Sequence, residues 1–226
     1  MNRVVGIIKT HLADKLTWLI LPWLILGISF ACNLIIGSLA DEKIYTGGLA
    51  SIYIYMLVVG IGSVGQTFPF LIGFCTRRKD YFLGTAATIA IISFLSAIVL
   101  LLIGYVERET GQWGMELYFF NVKYLSDGPL LERFWILFTL MINLFFCGFA
   151  ISSIHRKFGR NGLYFFFIAL GVVMTIASYL ITLNEKWEPI FGWMADISVM
   201  ELANGLFLGT LIYVLFSYLL LRRATV

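Results

Sequence analysis

Six uninterrupted apolar runs, at 16–38, 50–75, 81–105, 134–154, 162–183 and 202–221, dominate this chain and leave it few possible folds. Each is 20 to 26 residues long. At ~1.5 Å rise per residue, each can cross a ~30 Å hydrocarbon core as one helix. Composition agrees: 60% of residues are hydrophobic and 13% charged, against roughly 45–50% and about 25% in soluble domains. The runs leave 89 of the 226 residues for termini and loops, and the longest stretch between them, 106–133, holds 28. We therefore expect an all-α polytopic membrane protein, a single transmembrane domain over 1–226, with any catalytic or nucleotide-hydrolysing domain on another chain. The first run, at 23 residues, exceeds the ~7–15 of a signal-peptide core and reads as a retained span. Cys32, Cys75 and Cys147 all fall in expected spans, too scattered for a disulfide or metal framework, and read as small fillers of helix contacts.

Charge fixes the expected orientation. Segments 1–15, 76–80, 155–161 and 222–226 hold 11 Lys and Arg in 32 positions, whereas the alternate loops hold five in 57. Acids divide the other way, giving +9 on one face and −6 on the other. The positive-inside rule then places both termini in the cytoplasm. These cations read as topology determinants beside anionic headgroups, with no nucleic-acid partner. Trp18, Tyr81, Tyr105, Trp135 and Tyr164 lie near span ends, where aromatic anchors collect.

Residues 1–15 place Val4, Ile8 and Leu12 on one stripe, as in a short amphipathic helix lying in the inner headgroup layer; the plainer reading is a frayed topogenic tail. In the first span Gly27 and Ala31 form a small face for helix approach. The second is the least regular, with Gly60, Gly62, Ser63, Gly65, Gln66, Thr67 and Pro69. Proline removes a backbone hydrogen bond there, and the bend is either a packing kink or part of a moving route. The fourth carries Asn143 and a Gly148, Ser152 face; the sixth carries a Gly205, Gly209 pair suited to close packing. Trp187, Ile190, Phe191, Trp193 and Ile197 make the last outer connection too apolar for solvent, so it is expected to lie in or re-enter the outer leaflet.

Chemistry is sparse. No Asp, Glu, Lys, Arg or His falls inside any expected span, with Glu201 at a boundary. That argues against proton coupling or voltage sensing, which need membrane-buried charges. His11 and His155 have no companion carboxylates at ligand spacing. We expect no enzyme, no metal and no cofactor in this chain, and it contains no phosphate-binding GxxxxGK loop.

Three features together resemble the membrane subunit of an ABC-2 type ABC transporter. They are the basic amphipathic segment 1–15, the apolar connection 187–197, and segment 73–85, GFCTRRKDYFLGT. This last segment is similar to the turn of many bacterial permeases of the group: a glycine, paired basic residues, an acid, two aromatic or leucine positions and a second glycine. The resemblance implies an exporter of amphipathic or hydrophobic substrates in the cell membrane. It implies two permease chains, as homodimer or heterodimer, each docking a cytoplasmic ATPase that holds ATP and Mg. By position, 1–15 would be the connecting helix, while Arg77, Arg78, Lys79 and Asp80 would form the coupling element. Arg156 and Lys157 would supply a second contact, and Gly27, Ala31, Gly171 and Ala177 would lie along the dimer seam. The 76–80 turn is short, so the coupling element must draw on the ends of the flanking spans. A reading of another class is a non-transporting immunity or signalling protein that binds a peptide or partner in the bilayer.

Overall fold

A computed structural model describes residues 3–39, 43–122 and 128–222. Expectations that touch Met1, Asp41, Glu42, Lys123, Tyr124 and Arg223 lie outside the described residues. The fold is almost wholly helical. Helix α1 (Arg3–Ala13) precedes a widened π-helical turn (Leu16–Ile20) that runs into α2 (Leu21–Leu39). Next come β1 (Ile44–Tyr45), α3 (Ala50–Gly73), α4 (Arg78–Glu109), a short 3-10 turn (Gln112–Gly114) and β2 (Leu117–Tyr118). Then follow α5 (Leu130–Leu183), α6 (Trp187–Asp196) and α7 (Val199–Arg222).

Five of these helical stretches are long and apolar enough to cross a membrane: Leu16–Leu39, Ala50–Gly73, Arg78–Glu109, Leu130–Leu183 and Val199–Arg222. The two expected runs 134–154 and 162–183 thus belong to one 54-residue element. Straight, it would be about 80 Å long, well over twice a ~30 Å hydrocarbon core. It is not regular throughout, because Gly159 sits at φ 72, ψ −174. Only glycine, lacking Cβ, adopts that region at little cost.

Packing centres on α3, α4, α7 and the first half of α5. The backbones of α3 and α5 meet at two glycines: a Cβ on Gly60 would overlap the Phe145 carbonyl oxygen, and one on Gly148 would overlap that of Leu57. Asn143 Nδ2 donates to the Leu206 carbonyl at 2.9 Å and to Thr210 Oγ1 at 3.1 Å, fastening α5 to α7. Among the described residues, the expected close contact through Gly205 and Gly209 is not made: a Cβ on Gly205 would meet nothing, and one on Gly209 only the Asn143 amide at 3.8 Å. No residue from 155 to 202 is buried, so the second half of α5 and α6 contribute nothing to the core.

The bundle has two ends. At one, α1, the α3–α4 turn and the end of α7 gather over a cluster that includes Trp18, Phe68, Tyr81, Phe145 and Leu221. At the other, β1 pairs in parallel with β2, Ile44 beside Leu117 and Tyr45 beside Tyr118, over Leu26, Ile52, Leu100, Phe119 and Met141. The loop that carries β2 is held by Glu107, whose carboxylate is fully buried. It accepts the backbone N–H groups of Phe119 at 2.8 Å, Phe120 at 2.7 Å and Asn121 at 3.1 Å. An acid that falls in the expected 106–133 connection is therefore an internal fastener, stable there because three donors satisfy it.

Other boundaries shift too. The α3–α4 turn is 74–77, and Arg78, Lys79 and Asp80 already form the first turn of α4. Cys75 lies in that turn at φ 55, where the Cys75 N–H meets the Ile72 carbonyl and the Thr76 N–H that of Leu71. This is the paired closure of a helix end usually built on glycine. Cys32 and Cys75 are exposed and Cys147 is only partly buried, so the first two fill no helix contact. The 187–197 connection contains a real helix, α6, with no buried residue and only Ile190 half-buried.

Candidate functional site

The basic end is built from α1 upward. Its sequence puts Ile7 and His11 one turn apart, and both are buried against α4, while Val4, Ile8 and Leu12 flank them half-buried. The amphipathic face is real, and its centre is offset from the Val4, Ile8, Leu12 stripe toward Ile7 and His11. Ile7 seats on Gly84, where a Cβ would come within 2.7 Å of the isoleucine Cβ and Cγ2. The small residue is what admits α1. One turn on, His11 Nε2 and Thr85 Oγ1 share a hydrogen bond of 3.0 Å, and the Trp18 ring meets the imidazole edge-on at a centroid distance of 4.8 Å. Among the described residues, His11 Nδ1 has no partner. Burial holds this imidazole down to about 4, with Asp14 pulling weakly the other way. It is neutral at pH 7.

From α4 the linkage passes to α3. Tyr81, fully buried, donates from its hydroxyl to the Ser63 carbonyl at 3.0 Å and lies 3.0 Å from Thr67 Oγ1. Both partners sit in the irregular half of α3, just before Pro69. Pro69 leaves the Gly65 carbonyl, one turn upstream, without its helical donor, so Tyr81 fastens α3 close to a turn that lacks one of its own bonds. On the other side of α3, the Tyr55 hydroxyl donates to the Thr17 carbonyl at 2.9 Å, within the π-helical turn ahead of Pro22. A crevice of about 130 Å³ runs between these segments, lined by Asp14, Thr17, Tyr55, Ser63, Gln66 and Thr67 among others. Widened turns of this kind occur mostly as single interruptions and often at functional sites.

The expected coupling residues separate into distinct environments. Arg77 and Lys79 are exposed, Arg78 and Asp80 half-buried. Arg78 Nη1 donates to the Arg222 carbonyl at 2.9 Å, so this arginine ties α4 to the end of α7. Asp80 lies in the first turn of α4, where a negative charge complements the helix N-terminus. Arg156 stands 5.7 Å over the Phe68 ring and so joins the end of α3. Lys157 lies 4.9 Å over Phe158, a neighbour on its own chain segment. Gly27, Ala31, Gly171 and Ala177 are all exposed, and a Cβ on either glycine would meet nothing.

Sequence reading takes Gly84 and Thr85 only as the end of the 73–85 segment, weighs His11 only as a metal ligand, and gives Glu107 no role. A usable signal existed for His11, which follows Ile7 at helical spacing and extends its face. Among the described residues, no three His, Cys, Asp or Glu side chains are placed to hold a metal ion. No protein-family model, curated protein or solved structure matches the chain.

Proposed function

We propose that this chain is the membrane-spanning permease of an ATP-binding cassette exporter of the ABC-2 type, moving an amphipathic or hydrophobic substrate across the cell membrane. In this reading α5 turns back at Gly159, which makes six crossings with both termini cytoplasmic. ATP and Mg belong to a separate ATPase subunit, and this chain catalyses no reaction itself.

The observation that carries the reading is the continuous linkage at the basic end. A push on α1 or on the α3–α4 turn meets α4 through Ile7 and Gly84 and through His11 and Thr85. It reaches the Pro69-bearing half of α3 through Tyr81. Packed side chains and hydrogen bonds of this kind transmit rigid-body movement, the form of linkage a partner-driven permease needs. Within the expected coupling element, Arg77 and Lys79 are free to face a cytoplasmic partner, whereas Arg78 is engaged with α7. Exposed Gly27, Ala31, Gly171 and Ala177 support a seam with a second permease chain, identical or sister.

Co-expression with a candidate ABC ATPase and purification in mild detergent tests this directly. The ATPase is expected to be recovered with the wild-type chain and lost with the Arg77→Glu, Lys79→Glu double variant. Recovery of the chain alone, or an unchanged complex after the charge reversal, overturns the reading.

A further inference from the structure

The crevice between the π-helical turn and α3 departs in charge from the basic end around it. Its lining includes the Asp14 carboxylate and, among the described residues, no Lys or Arg. Asp14 is exposed, and although Lys15 follows it directly, it makes no ion pair with any described residue. Its one side-chain hydrogen bond is a long capping contact, 3.4 Å from the Thr17 N–H to Oδ1, so Oδ2 has no donor among the described residues. On the α3 side stands Gln66, within the spanning stretch Ala50–Gly73, exposed and bonded to no described residue. A polar side chain left unpaired in a spanning helix is costly, and such residues mark functional positions.

The crevice is shaped before anything enters it. The Tyr55 hydroxyl holds the Thr17 carbonyl at 2.9 Å, tying one wall to the other, and the Ser63 hydroxyl donates to the Gly60 carbonyl at 2.9 Å. A preformed site loses less entropy on binding. With both protons committed, these two hydroxyls can offer only lone pairs, and the Asp14 carboxylate and the Gln66 amide oxygen add further acceptors. Gly62 leaves the space open: a Cβ built there would meet nothing within 4 Å. Such a lining, negative and rich in acceptors, suits a cation that carries several N–H donors. Val58, also in the lining, is exposed, as is Ile54 one turn farther from the basic end, so α3 continues the crevice as an apolar track.

We propose that this crevice binds a primary ammonium group carried on an alkyl chain. Asp14 takes the charge, Gln66 and Tyr55 accept the remaining N–H groups, and the chain lies along Val58 and Ile54. A free long-chain amine and an ethanolamine-headed lipid both present this chemistry. The site goes beyond the export reading and does not depend on it, because binding needs only this chain; its failure and the absence of an ATPase partner are separate results.

The test titrates the purified full chain at pH 7 in a neutral detergent with dodecylamine, protonated at that pH, dodecyltrimethylammonium and methylamine, counting adducts by native mass spectrometry. One saturable dodecylammonium per chain is expected. Dodecyltrimethylammonium has the same charge and chain, and so a similar partition into micelles, but no N–H donor; it is expected to bind about tenfold or more weaker. Methylammonium lacks the chain and is expected to be weaker by about the same factor. Asp14→Asn removes the charge at constant shape, and Gly62→Leu fills the crevice at constant charge. Each is expected to weaken dodecylammonium by about tenfold or more, with circular dichroism confirming that the chain remains helical. Competition with a short-chain phosphatidylethanolamine identifies the source: displacement of dodecylammonium supports the site with lipid as its ligand, and retention supports it with a free amine. Dodecyltrimethylammonium binding as tightly as dodecylammonium overturns the proposal, as does a folded Asp14→Asn or Gly62→Leu chain that binds dodecylammonium like wild type.

Discussion

The two halves of α5 are both strongly apolar and differ completely in what they touch. From Ile136 to Ile154 the helix contributes fourteen buried residues to the core; from 160 to 183 it contributes none. Hydrophobicity does not separate them, because both halves are rich in Phe, Leu and Ile. Glycine placement and polar fastening do. Gly148 lets the α3 backbone close in, and Asn143 reaches across to Leu206 and Thr210. In the second half Gly171 faces open space, while Thr175, Thr182 and Asn184 bond carbonyls four residues back on their own helix. Lipid tails are as apolar as leucine, so apolar area admits a helix to the bilayer without making it associate. Association needs close backbone approach and interhelical hydrogen bonds, and the first half has both.

Substitutions at matched sites can break that contrast. The largest effect is expected from Gly148→Leu, whose side chain must displace the α3 backbone; a loss of at least about 3 kcal/mol, seen as failure to recover folded protein, is the expected outcome. Gly171→Leu should leave the folded monomer unchanged in the same assay. Equal losses at the two positions would mean that the second half also packs within the chain.

Acidification probes whether α1 belongs to the packed region. The His11 imidazole is held down to about 4 from an ordinary 6.5. Below pH 6.5 the undocked helix takes up a proton that the docked one resists, so docking is unperturbed above 6.5 and weakens as pH falls toward 4. The full loss is about 3 kcal/mol. Hydrogen exchange across 3–13 should therefore accelerate on going from pH 7 to pH 5, after correction for intrinsic rates, and His11→Gln should remove that dependence.

Asn143→Leu isolates the polar fastening. Loss of the bonds to Leu206 and Thr210 is expected to cost about 1–2 kcal/mol of thermal stability in detergent. A matching change at Thr175, which bonds only its own helix, should move stability far less. The smallest effect is at the α3–α4 turn. Cys75→Gly relieves a left-handed backbone position, and a gain of up to about 1 kcal/mol in stability is expected.

Much of this architecture is legible in the residues, and what is not has a common cause. Apolar runs mark the spanning helices to within a few residues because length and hydropathy are local properties. The 155–161 gap is visible as a basic interruption, although helix continues on both sides of Gly159. Fastenings that join distant segments left little trace. Glu107 stands in a charged stretch ending α4, and nothing local announces that it will accept three N–H groups from residues 119–121. The β1–β2 pair is two residues on each strand, too short for alternation to register. At the basic end, the pattern in 1–15 marks an amphipathic helix, whereas its seat on Gly84 and Thr85 depends on geometry that only the folded chain supplies.

Under the proposed function, mechanical work enters at the basic end from a partner. ATP hydrolysis measured in reconstituted membranes containing this chain and a candidate ABC ATPase tests it most directly. Vanadate-sensitive turnover that depends on the chain, and that falls to the level of the ATPase alone with Arg77→Glu, Lys79→Glu, is the expected result. Turnover unchanged by the presence of the chain or by that charge reversal would contradict it.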